Sequence, residues 1–226
     1  MPVDTADLGA LLLADARLPT GAHAHSAGLE PALVAGLRAD RVPAYIDSRL
    51  RTVALVEASA AALTLRLVRS DPSASLRVQD ELLARMPTAP SRRASQLLGR
   101  GLHRLAVRLW GDHPAVRGMA GLDGPPLRPI ALGVVAAALG MREEQVARAS
   151  LYDDVQTITA AALKLLPVDP TDATAWLLAS APALEAGVAA ALLVDDDPTH
   201  LPAHTAPLVE QHALDHHTRT RRIFVA

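Results

Sequence analysis

Apolar side chains recur at three- and four-residue steps along most of the chain, the spacing that places them on one face of an α-helix. One such helix is predicted from Pro43, since proline is tolerated in a first turn, to about residue 69. Its apolar positions share one face: Val53, Val56, Ala60, Leu63 and Leu67. A second amphipathic helix is predicted over residues 91–110, where a leucine stripe is flanked by arginines. The stripe consists of Leu97, Leu98, Leu102, Leu105 and Leu109.

Clusters of proline, glycine and aspartate divide the remaining sequence into further predicted helices. Their predicted ranges are 7–16, 26–38, 76–86, 130–139, 143–166 and 171–194. Residues 111–129 are rich in glycine and proline and are predicted to form a surface loop. Because no segment alternates convincingly with period two, we predict an all-α fold. It would be a single-domain bundle of roughly eight to ten helices spanning residues 1–226.

Residues 195–226 are predicted to form a linker and a C-terminal partner-docking tail. Acidic residues and three prolines in residues 195–207 discourage a continuous helix. The chain then ends on basic residues and an apolar stretch that contains Phe224, its only phenylalanine. One interpretation is that Phe224 anchors a partner protein and that the tail is loosely held without it. The other is that Phe224 folds back onto this chain's own core.

The composition narrows the class of protein. Hydrophobic residues make up 50% of the 226 residues and aromatic residues only 2%, so the core must consist of Leu, Val and Ala. A net charge of −2 predicts no nucleic-acid partner, and the lack of cysteine excludes disulfides, iron–sulfur clusters and thiol nucleophiles. The N-terminus lacks the basic region of a secretory signal, and the longest apolar stretches fall far short of the roughly 20 residues of a membrane span. We therefore expect a cytoplasmic protein without membrane contact.

Motifs of the common catalytic families are absent from the sequence. It has no phosphate-binding loop, dinucleotide fingerprint, H-E-x-x-H or G-x-S-x-G, so we predict that the protein is not an enzyme. Gly99 and Gly101 lie inside a predicted helix and indicate close packing. Asp153 and Asp154 are predicted to form a solvated or partner-facing patch, because two adjacent carboxylates alone coordinate a hard metal poorly.

Two groups of histidines are candidates for chemistry. His23 and His25 form an H-x-H pair of the kind found in some metallohydrolases, but the further ligands that such a site needs are not evident nearby. The pair could instead lie in a loop that leads into a helix capped by Ser26, or contact a partner. His212 and His216 are four residues apart, so they share a face if this segment is helical and could hold Ni or Zn. A docking segment is the alternative, and we expect no stable metal site.

Residues 14–30 read ADARLPTGAHAHSAGLE and resemble the N-terminal signature of the UreF family of urease accessory proteins. In that family a short helix leads into L-P-x-G, a serine-containing turn and G-[LV]-E. Further matches follow in family order at residues 91–102, 133–140 and 164–167. The last match is an H-x5-R-[LI]-F ending that comprises His216, Arg222, Ile223 and Phe224.

The resemblance implies an all-α homodimer that dimerises through its helices and assists urease maturation by nickel insertion. It implies three partners: UreD (also called UreH), the GTPase UreG and the urease apoprotein. Within that assembly the protein would act as a scaffold and as a regulator of UreG. Because the resemblance implies that nickel is carried by UreG and urease, no cofactor is expected. Two alternatives stay open: a nickel-storage or sensor protein, and a helical metallohydrolase that uses the histidines.

The resemblance also suggests which residues bind partners. They lie in the segment 18–30, at the end of the helix predicted over residues 143–166, and in the tail. The expected partner-binding residues are Thr20, His23, His25, Ser26, Glu30, Lys164, His216, Arg221, Arg222 and Phe224. No catalytic and no metal-binding residue is expected.

Overall fold

Helices account for most of the structure, a computed structural model that describes residues 5–15, 17–21, 24–217 and 223–224. In chain order they are α1 (Ala6–Leu13), α2 (Leu29–Val34), α3 (Val42–Leu50), α4 (Val53–Val68), α5 (Ala74–Ala84), α6 (Ala89–Trp110), α7 (Pro114–Gly118), α8 (Arg128–Ala138), α9 (Glu143–Leu165), α10 (Pro170–Ala179), α11 (Ala181–Ala191) and α12 (Pro207–His217). The described residues contain no β-strand, which confirms the predicted all-α, single-domain fold. The helices are more numerous than the eight to ten predicted, and dimerisation stays a prediction.

Helix α4 lies at the centre of the bundle, because α8, α9 and α11 all pack against it. Of its 16 residues, 11 are buried, so the single buried face predicted for this helix is wrong. Val53 and Leu67 of that face are partly exposed, whereas Ala58, Ala61 and Leu65 are completely buried. Small alanine side chains let neighbouring helices approach α4 from several sides, a situation that an amphipathic pattern does not describe.

Helix α6 buries a different face from the one predicted. Leu102 is 4% exposed, but Leu97 and Leu109 of the same leucine stripe are 39% and 54% exposed. The buried positions are mostly small: Ser95, Gly99, Gly101, Leu102 and Ala106. The hydrophobic pattern failed here because α6 meets its neighbours through small residues, whose packing role depends on size rather than on hydropathy.

Two glycines let other segments lie directly on α6. A Cβ at Gly99 would lie 2.0 Å from the carbonyl oxygen of Pro126, and one at Gly101 would lie 2.3 Å from that of Thr20. Both distances are far below van der Waals contact, so any larger residue would displace the backbone opposite. The prediction that these glycines serve close packing is confirmed.

The long helix predicted over residues 43–69 is two helices in the structure. Helices α3 and α4 are separated at Thr52, whose φ is −125° and ψ is −102°. The Thr52 hydroxyl donates to the carbonyl of Ser48 at 2.8 Å, a local bond that competes with regular helix geometry. No proline or glycine marks this break, so it could not be recognised from the usual breaker residues.

The helix predicted over residues 171–194 is also two helices. Pro182 lies in the first turn of α11, where its ring and missing N–H prevent α10 from continuing. In the described part of the chain, no single helix is long and apolar enough to cross a membrane. Helices α10 and α11 meet those two criteria only when taken together across their 42° bend.

Residues 111–129 do not form the predicted surface loop. They contain α7, which starts at Pro114, and a short 3₁₀ turn at Met119–Gly121. Ala115, Val116 and Leu127 from this stretch are buried in the core. The frequency of glycine and proline was misleading, because Pro114 occupies a first helical turn, where proline is favourable.

The segment that follows α11 is fixed against the bundle by arginines. Arg66 of α4 donates to the carbonyl of Asp195 at 2.8 Å and pairs with the Asp196 carboxylate at 2.7 Å. Arg85, which follows α5, donates to the carbonyl of Leu201 at 2.9 Å. Backbone carbonyls outside helices need donors of this kind when they lie close to the core. The stretch predicted as a linker is therefore packed along α4 and α5.

A buried ion pair joins α3 to α9. The Arg49 guanidinium donates to both carboxylate oxygens of Asp154, from Nε at 3.0 Å and from Nη2 at 2.5 Å. The two side chains are only 8% and 9% exposed. The prediction that Asp154 belongs to a solvated patch is wrong, because α3 packs over this part of α9. Each charge of the pair depends on the other to offset its desolvation.

Replacing one member of this pair is expected to destabilise the fold. Arg49→Met should lower the free energy of unfolding by about 3–5 kcal/mol, because the Asp154 carboxylate stays buried without its cation. The double variant Arg49→Met, Asp154→Leu should regain most of the loss, since no charge is then left unpaired. Urea titration followed by circular dichroism measures both variants against the unchanged protein. A double variant as unstable as the single one would contradict this account.

Candidate functional site

A left-handed turn leads the chain into α2. Ala27 has a φ of +50° and Gly28 a φ of +79°, a conformation that glycine adopts without strain. A Cβ at Gly28 would also lie 2.8 Å from the Tyr45 hydroxyl and 3.2 Å from a methyl group of Val209. The Tyr45 hydroxyl donates to the Ala27 carbonyl at 2.8 Å, and burial raises the pKa of Tyr45. Gly28 is therefore required by conformation and by space.

Ser26 stabilises the first turn of α2. Its hydroxyl oxygen accepts a hydrogen bond from the backbone N–H of Glu30 at 3.3 Å. Gly28, not Ser26, occupies the N-cap position, so Ser26 satisfies the helix from two residues upstream. The helix ends at Val34 rather than near residue 38 as predicted, because the chain turns at Gly36 with a φ of +104°.

The carboxylate of Glu30 holds the C-terminal end of the chain. Its Oε1 accepts the backbone N–H of Ile223 at 2.8 Å, and its Oε2 accepts that of Phe224 at 2.9 Å. Glu30 is 7% exposed, so both bonds lie in a largely desolvated environment. Hydrogen bonds to an ionised acceptor are stronger than those between neutral groups. The carboxylate therefore joins α2 to two residues that lie 193 and 194 positions further along the chain.

Phe224 lies in the main core. It is 4% exposed, whereas the adjacent Ile223 is 67% exposed. The ammonium group of Lys164, at the end of α9, lies 5.1 Å from the centre of the Phe224 ring, within the range of a cation–π interaction. Of the two interpretations of Phe224, the structure shows the one in which it folds onto this chain's own core. A loosely held Phe224 is not what is observed.

His216 lies beside Glu30 in the last turn of α12. It is 3% exposed, and its Nε2 is 3.6 Å from Glu30 Oε2, beyond hydrogen-bond distance. Within the described residues, neither ring nitrogen of His216 has a hydrogen-bond partner. His25 is 9% exposed and lines the same cavity as His216. No three histidine, aspartate or glutamate side chains in the described part of the chain are grouped as a metal site requires.

The structure brings several of the expected partner-binding residues together. One cluster, called the Glu30 cluster below, consists of Ser26, Glu30, Lys164, His216 and Phe224. Thr20 lies elsewhere, against Gly101 of α6. His23, Arg221 and Arg222 lie outside the described residues. The partner-binding role of all these residues stays a prediction.

A cavity of about 330 Å³ lies next to the Glu30 cluster, between α3, α4, α6, α9 and α12. Much of its wall is apolar and includes Val53, Leu98 and Val209. His25 and His216 line it on the side of the Glu30 cluster. The cavity and the Glu30 cluster therefore share residues and form one region of the molecule.

Charged side chains from four helices form a network at this cavity. In addition to the pair of Arg49 and Asp154, Arg128 at the start of α8 binds Asp153 at 2.6 Å and Glu57 at 3.2 Å. The predicted solvated patch is therefore wrong for Asp153 as well. Burial raises the pKa of Glu57, and the two aspartates add to this effect against the opposing influence of the arginines. All five residues line the cavity.

No motif in the sequence marks this network. Asp153 and Asp154 were recognised as a pair but assigned to the surface, and Arg49, Glu57 and Arg128 carried no motif. The five residues come from α3, α4, α8 and α9, so only the packing of these helices reveals that they meet. A charged residue on an otherwise apolar face was the available signal, as at Glu57 within α4.

The chain matches the model of the UreF family over residues 38–181. It is also similar to proteins named urease accessory protein UreF over almost its whole length. It is 36% identical to that of Mycobacterium sp. (strain JLS) over 222 residues, 96% of this chain and 97% of the relative. It is 37% identical to that of Mycolicibacterium vanbaalenii and 35% identical to that of Mycobacterium tuberculosis (strain ATCC 25177 / H37Ra), each over 221 residues and the same shares.

The chain belongs to the UreF family. This confirms the resemblance found in the sequence and, at the level of the family, the expected role as a urease accessory protein rather than an enzyme. The family match covers α3 to α10, whereas the Glu30 cluster also uses residues on both sides of it. The relatives align over 96% of the chain, a larger share than the family match covers.

Removing the Phe224 ring is expected to destabilise this UreF-family protein. Phe224→Ala should lower the free energy of unfolding by about 3–5 kcal/mol, because it deletes a buried aromatic ring. Ile223→Ala is the matched control, and its effect should stay within about 0.5 kcal/mol, since that side chain is mostly exposed. Chemical denaturation measures both. Two variants as stable as the parent would show that the tail is not part of the folded core in solution.

The raised pKa of Glu57 predicts a pH dependence of stability. The folded protein binds the proton of the Glu57 carboxyl more tightly than the unfolded chain does. In the unfolded chain the pKa of this side chain is near 4.5. The free energy of unfolding attributable to Glu57 therefore falls as the pH rises from 4.5 through the raised pKa, and it is constant above. Glu57→Gln should lack this fall, whereas the surface variant Glu144→Gln should retain it. Urea titrations give the difference in the free energy of unfolding between the wild-type protein and Glu57→Gln at each pH. A difference that does not vary with pH would refute the effect.

Proposed function

We propose that this protein is an assembly factor that takes part in urease maturation by nickel insertion. In this proposal it acts as a scaffold and regulator of the GTPase UreG, in a complex with UreD (UreH) and the urease apoprotein. The observation that carries the proposal is the likeness, over 96% of the chain, to proteins named urease accessory protein UreF. The homodimer, the cytoplasmic location and the absence of a resident cofactor belong to the same proposal.

The Glu30 cluster supports a role in protein contacts. Glu30 fixes the backbone of Ile223 and Phe224, and Phe224 is buried beneath. The 67% exposed side chain of Ile223 is thereby presented at a defined position. An apolar side chain held in this way is a suitable anchor for a partner, because little conformational entropy is lost on binding. We assign this contact to UreD, with Glu30 and Phe224 as the residues that position it.

The proposed function is tested in a urease gene cluster from which the gene for this protein has been removed. Urease purified from that strain is expected to contain little nickel and to have little activity, and supplying the gene should restore both. Nickel content is measured by mass spectrometry on the purified enzyme, and activity by ammonia release. Urease that contains its full complement of nickel in the absence of this protein would overturn the proposal.

The assigned contact gives a sharper prediction. Ile223→Asp should weaken co-purification with UreD at an unchanged melting temperature, because it places a charge in the proposed interface at a side chain that is mostly exposed. Leu193→Asp is the matched control, since Leu193 is an apolar side chain that is 85% exposed in another segment. Equal binding of UreD by both variants would remove Ile223 from the interface while leaving the role in maturation untouched.

A further inference from the structure

The cavity beside the Glu30 cluster has the size and the walls of a ligand site. Small-molecule pockets usually measure about 300–1,000 Å³ and combine apolar walls with a few polar groups. At about 330 Å³ this cavity lies at the lower end of that range, so a ligand would have to be short. Its apolar side includes Val53, Leu98 and Val209, and its polar side is the network of Glu57 with its charged neighbours.

The charges of the network do not cancel. Two guanidinium groups, of Arg49 and Arg128, face three carboxylates, of Glu57, Asp153 and Asp154, which gives a formal charge of −1. Each arginine has a close aspartate partner at 2.5–2.6 Å, whereas Glu57 lies at the longer distance of 3.2 Å from Arg128. Glu57 is therefore the carboxylate with the weakest compensation, and burial raises its pKa accordingly.

His216 provides a second, independent observation. It is 3% exposed and lines the cavity, yet neither of its ring nitrogens has a hydrogen-bond partner among the described residues. A buried polar group without a partner is costly, and a donor inside the cavity would remove that cost. A neutral imidazole accepts a hydrogen bond through one nitrogen, so a ligand that carries N–H groups would suit both His216 and Glu57.

The other charged groups around the cavity do not reverse this preference. Arg85 also lines it, but its guanidinium pairs with Glu81 at 2.6 Å and donates to the carbonyl of Leu201. Arg93 is exposed, so water screens its charge. The Glu210 carboxylate accepts the hydroxyl of Ser91 at 2.8 Å and adds a negative charge to the cavity wall, which disfavours an anion.

We propose that this cavity binds an organic cation, a guanidinium or primary ammonium group on a short apolar stem. The charged end lies beside Glu57 and donates to His216, and the stem lies along Val53, Leu98 and Val209. The cation completes the charge balance of the network and the hydrogen bonding of the imidazole at the same time. This site does not depend on the proposed role in urease maturation.

Isothermal titration calorimetry of the full chain tests the proposal with n-butylguanidinium chloride at constant ionic strength. The matched ligand is n-butylurea, which has the same shape without the charge, and it is expected not to bind. Glu57→Gln should weaken n-butylguanidinium binding about tenfold or more, because a hydrogen bond to a charged group is lost. Glu144→Gln, a surface change outside the cavity, should leave the affinity unchanged. Equal affinity for the two ligands, or an unaltered affinity in Glu57→Gln, would overturn the proposal.

A second variant decides the matter if Glu57→Gln does not fold. Ala94→Leu adds bulk at a residue that lines the cavity without changing any charge, and it should abolish binding. An affinity that survives this substitution would place the cation elsewhere and overturn the assignment.

The capped peptide acetyl-Gly-Arg-Gly-amide distinguishes the two possible sources of a guanidinium ligand, which are an arginine side chain of a protein and a free small molecule. Tighter binding of the peptide than of n-butylguanidinium identifies an arginine of a protein as the ligand, and weaker binding identifies a free cation.

Discussion

The small size of the core side chains is the constraint on which the rest of this structure depends. With aromatic residues at 2% of the sequence, most core positions hold alanine, valine or leucine, and alanine is the most frequent residue in the central helix α4. Small side chains bury little apolar area each, so many helices have to pack closely around α4 to form a sufficient core. Close packing in turn brings backbone and charged groups near the interior. Arg66 and Arg85 satisfy carbonyls there, and Arg49 compensates Asp154.

Within such a core a single large side chain has a disproportionate effect. Phe224 is the only phenylalanine, and its burial brings the end of the chain to the end of α9, under Lys164. Glu30 then fixes the tail through two backbone N–H groups. Three stretches that the family resemblance marks separately, the N-terminal signature, Lys164 and the ending, therefore meet in space. Their burial indicates that Glu30 and Phe224 support the fold, whereas the proposed partner contact is assigned to the exposed Ile223.

The helical class and most helix positions could be predicted from the sequence, because the periodicity of apolar residues and Pro43 report on local structure. The breaks were predicted less well: Pro182 was available as a signal and was overlooked, whereas Thr52 offered none. The buried face of α6 was misjudged because hydropathy does not distinguish a packing glycine from a solvated one. Ser26 could be recognised as a residue that stabilises the start of α2, because its partner Glu30 is four residues away, although Gly28 occupies the N-cap position.

Contacts across the whole chain could not be predicted in the same way. The bond of Glu30 to the tail, and the network around Glu57, depend on which helices become neighbours, and no spacing in the sequence encodes that. A resemblance to a family narrows the candidates without giving the geometry. The resemblance marked Glu30 and Phe224 as partner-binding residues. Only the structure shows that the Glu30 carboxylate accepts the backbone N–H groups of Ile223 and Phe224.

Helix α12 connects the Glu30 cluster with the cavity. At its start, Glu210 accepts the hydroxyls of Thr88 and Ser91 at the beginning of α6, and at its end His216 faces Glu30. Val209 and His216 of the same helix line the cavity. The position of α12 therefore influences both places at once. If binding of the proposed cation in the cavity and binding of the proposed partner at the tail both depend on the position of α12, the two events are coupled. Thermodynamic linkage then requires that each ligand changes the affinity of the other by the same factor.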